Sequence, residues 1–306
     1  MDKDTAEKTA AISGILMAIT ATIIWSWNYI IARGVAENIP PVALSFFRWA
    51  TAFIFIFPFS FKGLLRERQA VKKNIRYITV MAILSVTLFN TLVYIAGHTT
   101  GAINLSLIAI STPVFIILIS HFLLKDKTSY KGWAGVTITI SGVILLICRG
   151  SLKVLFNLSF SSGDLWMTAA AIIFALYSIL LKRKSHEIGM LTFLLVTFGI
   201  GTAALFPFFI IERAFSPAIN FTPSVIISIL YTGIFASIAA FFLWNRSVEI
   251  IGAAKTGIYY YTLPLFSSLW AFLFLGEEFK PVHLASMLLI ISGILIATDI
   301  KKTLFR

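Results

Sequence analysis

The chain has 306 residues, of which 58% are hydrophobic and 12% charged, and it carries a formal net charge of +12. Its mean hydropathy of +0.92 leaves too little polar surface to cover a water-soluble globule, which excludes the soluble domain classes. The positive charge requires no nucleic acid, because anionic lipids of the cytoplasmic leaflet attract Lys and Arg near a membrane surface. We therefore expect an integral membrane protein whose partners include membrane lipids and no nucleic acid.

Ten apolar runs are long enough to cross the hydrocarbon core as helices, which takes about 20 residues for each crossing. In chain order the predicted spans are residues 11–32, 42–61, 76–96, 102–124, 130–148, 164–181, 190–211, 224–245, 253–275 and 282–299. The connections are short and contain helix breakers, as in Asn38-Ile39-Pro40-Pro41. The first run is too long for a cleavable signal peptide and lacks its flanking features.

Lys and Arg concentrate in every second connection. The basic stretches include residues 62–76, 125–131 and 182–184, whereas the intervening connections hold few basic residues. By the positive-inside rule, this asymmetry predicts a multi-pass protein of the cytoplasmic membrane with both termini in the cytoplasm. The lone Cys148 excludes an intrachain disulfide.

The two halves of the chain repeat each other. A shift of 151 positions superimposes residues 101–148 on the second half, and a shift of 149 does the same for the earlier residues. The matched pairs include Gly101 with Gly252, Pro113 with Pro264, Gly142 with Gly293, and Phe57-Pro58-Phe59 with Phe206-Pro207-Phe208. Internal repeats in a very apolar chain are typical of transporters. Because each repeat holds five spans, residues 1–150 and 151–306 are predicted to lie in the membrane with opposite orientations.

Several short motifs resemble those of the EamA-type drug/metabolite transporters. The motifs are Trp25-Ser26-Trp27-Asn28, Phe46-Phe47-Arg48, Gly252-Ala253-Ala254-Lys255 with Pro264, and Leu275-Gly276-Glu277 before Ser292-Gly293. The resemblance covers nearly the whole chain. It implies an all-α membrane protein of ten transmembrane helices, a metabolite exporter or exchanger whose central cavity is lined mainly by helices 1, 3, 4, 6, 8 and 9. It implies the transport class better than the substrate.

Polar residues within the spans indicate the same cavity, because polar groups are costly in hydrocarbon and normally face the interior of a helix bundle. Helical spacing groups them into stripes, which the repeat offsets map onto one another. The predicted substrate-binding residues are Trp25, Asn28, Thr87, Thr91, Tyr94, Asn104, Ser111, Tyr177, Asn245, Lys255, Tyr259 and Thr262. Such a site suits an amphiphilic organic solute. The alternative for the Trp and Asn side chains is helix packing and interhelical hydrogen bonding.

Arg48 lies roughly 9 Å inside the second span, at a rise of 1.5 Å per residue. It is either a structural anchor or a group that attracts an anionic part of the solute, and lipid contact is a third reading. Lys255 either extends its ammonium group toward the membrane surface or receives a carboxylate from the cytoplasm. Pro113 and Pro264 are predicted to kink spans 4 and 9, with gating hinges as an alternative. Glu277 is predicted to cap a helix or tie a loop.

No carboxylate lies at mid-bilayer, and the sequence contains no metal-ligand spacing, nucleophile motif or phosphate-binding glycine loop. We therefore expect no enzyme, no cofactor and no metal.

The prediction is a secondary transporter that moves small organic solutes by alternating access. Amino acids or related amphiphilic metabolites are the first choice, through export or exchange. Drug-like or nucleobase-like compounds, and a structural or regulatory protein, are the alternatives. The coupling and the oligomeric state stay open, with a monomer as the starting interpretation.

Overall fold

The computed structural model describes residues 3–124, 129–148, 150–151, 161–181, 184–251, 256 and 259–297. The helices of the first half are α1 (Lys3–Gly34), α2 (Pro41–Arg66), α3 (Arg68–Lys73), α4 (Ile75–Ala82), α5 (Asn90–Gly97), α6 (Ala102–Ala109), α7 (Thr112–Leu124) and α8 (Tyr130–Ile147). Those of the second half are α9 (Ser162–Leu181), α10 (Met190–Phe215), α11 (Pro223–Leu230), α12 (Ala240–Ile251), α13 (Leu263–Leu275) and α14 (Pro281–Ala297).

These helices form the predicted ten-helix membrane fold. In the part of the chain that the structure describes, six helical segments are long and apolar enough to cross a membrane. Four shorter apolar helices, beginning at Ala102, Tyr130, Leu263 and Pro281, complete the set of spans. Large apolar side chains on the outer faces are exposed, among them Phe59 and Phe208. Exposed aromatic side chains along a span are expected where the solvent is lipid rather than water.

The third span of each half contains a π-helical segment. Ile83–Phe89 joins α4 to α5, and Tyr231–Ala239 joins α11 to α12. A π-helix inserts extra residues into a turn, which frees backbone carbonyls and rotates the side chains that follow, and such segments are frequent at functional sites. The third span is therefore distorted at equivalent positions in the two halves of the chain.

Equivalent helices of the two halves pack against each other in antiparallel pairs. The Glu212 carboxylate, near the end of α10, accepts hydrogen bonds from the backbone N–H groups of Val42 and Ala43 at the start of α2, at 3.0 and 2.7 Å. At the other end, the Glu67 carboxylate, just after α2, accepts the N–H of Gly189 before α10 at 2.8 Å. Each carboxylate stabilises the positive N-terminus of the opposite helix, where backbone donors lack partners.

A third acidic residue caps the N-terminus of α6. The Glu277 carboxylate accepts the backbone N–H groups of Ala102 and Ile103 at 2.8 and 3.2 Å. The helix-cap interpretation of Glu277 is therefore confirmed, and the cap connects the two halves of the chain. Its repeat equivalent, Asp126, lies outside the described residues.

The fourth span is interrupted just before its proline, and so is the ninth. Ile110 and Ser111 form a turn between α6 and α7, and Tyr261 and Thr262 form the equivalent turn before α13. The Ser111 hydroxyl donates to the Ile108 carbonyl at 2.6 Å, and the Thr262 hydroxyl donates to the Tyr259 carbonyl at 2.7 Å. These bonds satisfy carbonyls at the breaks. Pro113 and Pro264 lie in the first turn of the next helix, where a missing N–H costs nothing.

Candidate functional site

The centre of the site is Arg48 on α2, whose side chain is only 2% exposed. Its Nε donates to the Ser237 hydroxyl at 2.8 Å. Its Nη1 is within hydrogen-bond distance of Asn28 Oδ1 at 2.9 Å, Asn90 Oδ1 at 2.7 Å and the Tyr94 hydroxyl oxygen at 2.8 Å. All four partners are neutral. Arg48 therefore keeps its full positive charge inside the bundle.

The π-helical segments position two of these partners. Asn90 is the first residue after the segment 83–89, and Ser237 lies inside the segment 231–239. The second segment also offers the Ala236 carbonyl to the indole Nε1 of Trp25, which donates to it at 2.9 Å. The altered helix register thus turns one polar side chain from each half toward Arg48. The same segment fixes the orientation of Trp25.

A small cavity lies beside Arg48. Its lining residues come from both halves of the chain. They are Trp25, Asn28, Tyr29, Arg48, Phe89, Asn90, Phe174, Phe241 and Tyr260. The lining combines Arg48 and two Asn side chains with six aromatic residues. Such a cavity offers hydrogen bonds and one positive charge to a solute with an apolar or aromatic body.

Two aromatic clusters form the walls. In the first, Trp25 has its ring centroid 5.4 Å from Phe241, 5.2 Å from Trp244 and 6.2 Å from Tyr260. In the second, Phe89 stacks on Phe174 at 4.7 Å. Aromatic pairs in this range add to the burial of their surface and hold one another in place. The walls are therefore flat aromatic surfaces.

The structure brings only some of the predicted site residues to this cavity. Trp25, Asn28 and Arg48 line it. Tyr94 is not a lining residue, but its hydroxyl oxygen lies 2.8 Å from Arg48 Nη1, and its hydroxyl donates to Asn28 Oδ1 at 3.0 Å. Phe174, the repeat equivalent of Trp25, also lines it.

Other predicted residues are engaged elsewhere. Thr87 donates to the Gly201 carbonyl on α10 at 3.2 Å, and Thr91 donates to the Ser45 hydroxyl on α2 at 2.9 Å. Tyr177 is buried beside Phe174, at a ring-centroid distance of 5.9 Å. The residues that do not line the cavity are Thr87, Thr91, Asn104, Ser111, Tyr177, Asn245, Tyr259 and Thr262. Lys255 lies outside the described residues.

Seven residues that the sequence analysis did not select belong to the candidate site, namely Tyr29, Phe89, Asn90, Phe174, Ser237, Phe241 and Tyr260. Asn90 and Ser237 bind Arg48, and Tyr29 and Tyr260 line the cavity. Asn90 was detectable, since it is an amide in the middle of an apolar span. Tyr260 was missed because helical spacing selected its neighbour Tyr259. Nothing in the local sequence distinguishes Ser237 from the other hydroxyl residues of its span.

Comparison with known families identifies the fold. The sequence model of the EamA-like transporter family matches the chain twice, over residues 12–148 and 161–298. The chain belongs to the EamA-like transporter family. The two matches coincide with the two halves of the chain, and both halves contribute residues to the Arg48 cavity.

Similar proteins are found in archaea and bacteria. A protein of Archaeoglobus fulgidus, described as an uncharacterized transporter, is 27% identical over 270 residues, which cover 86% of this chain and 89% of that protein. The uncharacterized transporter YyaM of Bacillus subtilis is 26% identical over 238 residues, covering 78% and 77%. A solved crystal structure has a TM-score of 0.60 at 19% identity and covers 96% of this chain and 99% of its own. These similarities support a membrane transporter with an EamA-like fold.

Proposed function

We propose that this protein is a secondary transporter that moves small amphiphilic organic solutes, amino acids or related metabolites, across the cytoplasmic membrane. The single observation that carries the proposal is the central cavity. It combines a buried cation, two amides and aromatic walls, and both halves of the chain contribute to it. In alternating access, two repeats move relative to each other around a site between them. A solute held by residues of both halves would be exposed to one side of the membrane at a time.

The proposal is tested by counterflow in proteoliposomes. A thermal-shift screen of amino acids, nucleosides, aromatic acids and aromatic cations first selects solutes that stabilise the purified protein. We expect uptake of labelled solute to be stimulated when unlabelled solute is present inside the vesicles. Chemical conversion of the solute would indicate an enzyme instead. Folded protein that gives no stimulation with any stabilising solute would contradict the proposal.

We expect transport to continue when the pH gradient is collapsed, provided that a solute gradient or counter-solute remains. Proton-driven carriers use an acid or a histidine that titrates within the transport path. Among the described residues, Asp164 and Glu212 lie in the terminal turns of their helices. Burial and the nearby Arg33 lower the pKa of His98, which keeps its imidazole neutral at pH 7. Measurement of counterflow with and without a protonophore tests this, and strict dependence on the pH gradient would reveal a proton site elsewhere.

The proposed orientation places both termini in the cytoplasm. In a Cys148→Ala background, we expect Thr99→Cys to react with a membrane-impermeant maleimide added outside intact cells. Ile250→Cys should react only after the cytoplasmic side is opened, because the two positions follow equivalent spans of oppositely oriented repeats. Reaction of both cysteines from one side would contradict the opposed orientation.

A further inference from the structure

We infer that the cavity selects monoanionic carboxylates with an aromatic or apolar body over the corresponding ammonium compounds. This inference rests on the proposed function and names the substrate class of the same site. It arises from the charge of Arg48, the unused donors of its guanidinium group, and the composition of the cavity walls.

The charge of Arg48 has no counterion among the described residues. Its hydrogen-bond partners are two amides and two hydroxyl groups, so no carboxylate neutralises it within the described part of the chain. A buried cation is costly unless it is paired, since it has lost its hydration shell. The neutral partners stabilise it in part through hydrogen bonds. An anion that enters the cavity would supply the missing charge.

One nitrogen of Arg48 has unused donors. The Nε and Nη1 atoms account for every hydrogen bond that Arg48 makes to the described residues. The Nη2 atom therefore keeps two N–H donors. These donors are available to a solute in the cavity, because Arg48 is one of its lining residues. Charge-assisted hydrogen bonds from a guanidinium group to a carboxylate are among the strongest that proteins form.

The second repeat supplies no second cation at the equivalent position. The offset of 149 carries Arg48 onto Thr197, whose hydroxyl bonds the carbonyls of Phe193 and Leu194 in its own helix. A pseudo-symmetric bundle thus has a positive group on one side of its centre and a neutral one on the other. A single buried positive charge matches a single negative charge on the solute.

The remaining lining residues determine the body of the solute, and none of them is an acid that would pair with an ammonium group. Trp25, Phe89, Phe174 and Phe241 provide flat apolar surfaces, and the described lining contains no Asp or Glu to receive a cation. Arg48 already has its guanidinium carbon 4.8 Å from the centre of the Trp49 ring and 6.0 Å from that of Tyr94. An ammonium group in the same cavity would meet this uncompensated positive charge at short range.

The test uses three probes that share a phenyl ring and differ in charge, namely phenylacetate, phenylalanine and phenethylamine. Affinities are measured at pH 7 by calorimetric titration of the detergent-purified protein, since uncharged forms of two probes cross bilayers unaided. We expect phenylacetate to bind about 10- to 100-fold more tightly than phenethylamine, with phenylalanine between them. Equal binding, or tighter binding of phenethylamine, would overturn the inference.

Variants assign the preference to Arg48. We expect Arg48→Gln to weaken phenylacetate binding about 10- to 100-fold and to remove the discrimination against phenethylamine. Arg48→Lys keeps the charge and should retain part of the preference. Arg66→Gln, which removes an exposed arginine from the end of the same helix, is the matched control and should bind all three probes as the wild type does.

Arg48 also connects several helices, so Arg48→Gln could fail to fold. In that case the comparison of the three probes on the wild-type protein still decides the inference, because it requires no variant. A protein that prefers phenethylamine yet shows counterflow would refute the substrate class alone. A folded protein without counterflow of any solute would refute the proposed function.

Discussion

Replacement of Asn90 by aspartate is expected to preserve the fold and to abolish transport. Asp has nearly the same shape as Asn, and Asn90 Oδ1 lies 2.7 Å from Arg48 Nη1. A carboxylate at this position would form an ion pair with Arg48 inside the cavity. Close ion pairs away from water are strong, so the solute would have to compete with a permanently bound anion. We expect solute affinity and transport to fall by about 100-fold or more, with a melting temperature at or above that of the wild type.

The uncharged control for this prediction is Asn90→Ala. It removes the same hydrogen bond without adding charge, and loss of one partner of a buried polar group costs about 1–3 kcal/mol. Asn90→Ala should therefore be less stable than Asn90→Asp and should still prefer anionic solutes. The measurements are counterflow and thermal unfolding of both variants. If Asn90→Asp transports as well as the wild type, Arg48 is a structural anchor and not the solute site.

The positions of the helices follow from the sequence because hydrophobic length and helix breakers act locally. Span 2 was expected to begin at residue 42, and α2 begins at Pro41, whose fixed backbone geometry suits a first helical position. The repeat offset likewise placed Pro113 and Pro264 at equivalent points, and the structure has breaks just before both. Such features depend on a few adjacent residues.

The site was harder to predict because its geometry depends on distortions that the sequence does not mark. The stripe of Thr87, Thr91 and Tyr94 assumed regular α-helical spacing, but the π-helical segment 83–89 changes the register between the first of these residues and the other two. Thr87 consequently contacts Gly201, while Asn90 and Tyr94 meet at Arg48.

A second difference from the predicted stripes lies in the ninth span. The break at Tyr261 and Thr262 ends the regular spacing of the ninth span. Counting along one continuous helix favoured Tyr259, whereas the lining residue is its neighbour Tyr260. Arg48 was noticed from its depth in the span and from the motif Phe46-Phe47-Arg48. Its role depends on three partners from other spans and on Ser237 from the opposite half, which no spacing within α2 reveals.

The close packing of α8 and α14 depends on Gly142 and Gly293, which the repeat offset also pairs. The two helices run antiparallel, and the Thr139 hydroxyl reaches the carbonyl of Ile290, its own repeat equivalent, at 3.4 Å. Residues related by the repeat therefore face each other at this contact. Approach at backbone distance is possible only where side chains are absent, because a methyl group at either glycine would occupy the space of the neighbouring helix.

Gly293→Val is accordingly expected to cause a large loss of stability. A Cβ atom at Gly293 would lie 2.6 Å from the Thr139 backbone nitrogen and 2.7 Å from the Gly135 carbonyl oxygen, and backbone atoms cannot move aside as a flexible side chain can. The helices must separate, at a cost of about 3 kcal/mol or more. Gel filtration and thermal unfolding in detergent should show little folded protein.

Gly34→Ala is the control, since its Cβ would meet only the end of the Leu275 side chain, at 3.3 Å, and should leave the melting temperature nearly unchanged. Because the strain lies far from Arg48, any Gly293→Val protein that does fold should keep the preference for phenylacetate. A wild-type melting temperature for Gly293→Val would show that α8 and α14 do not pack at backbone distance.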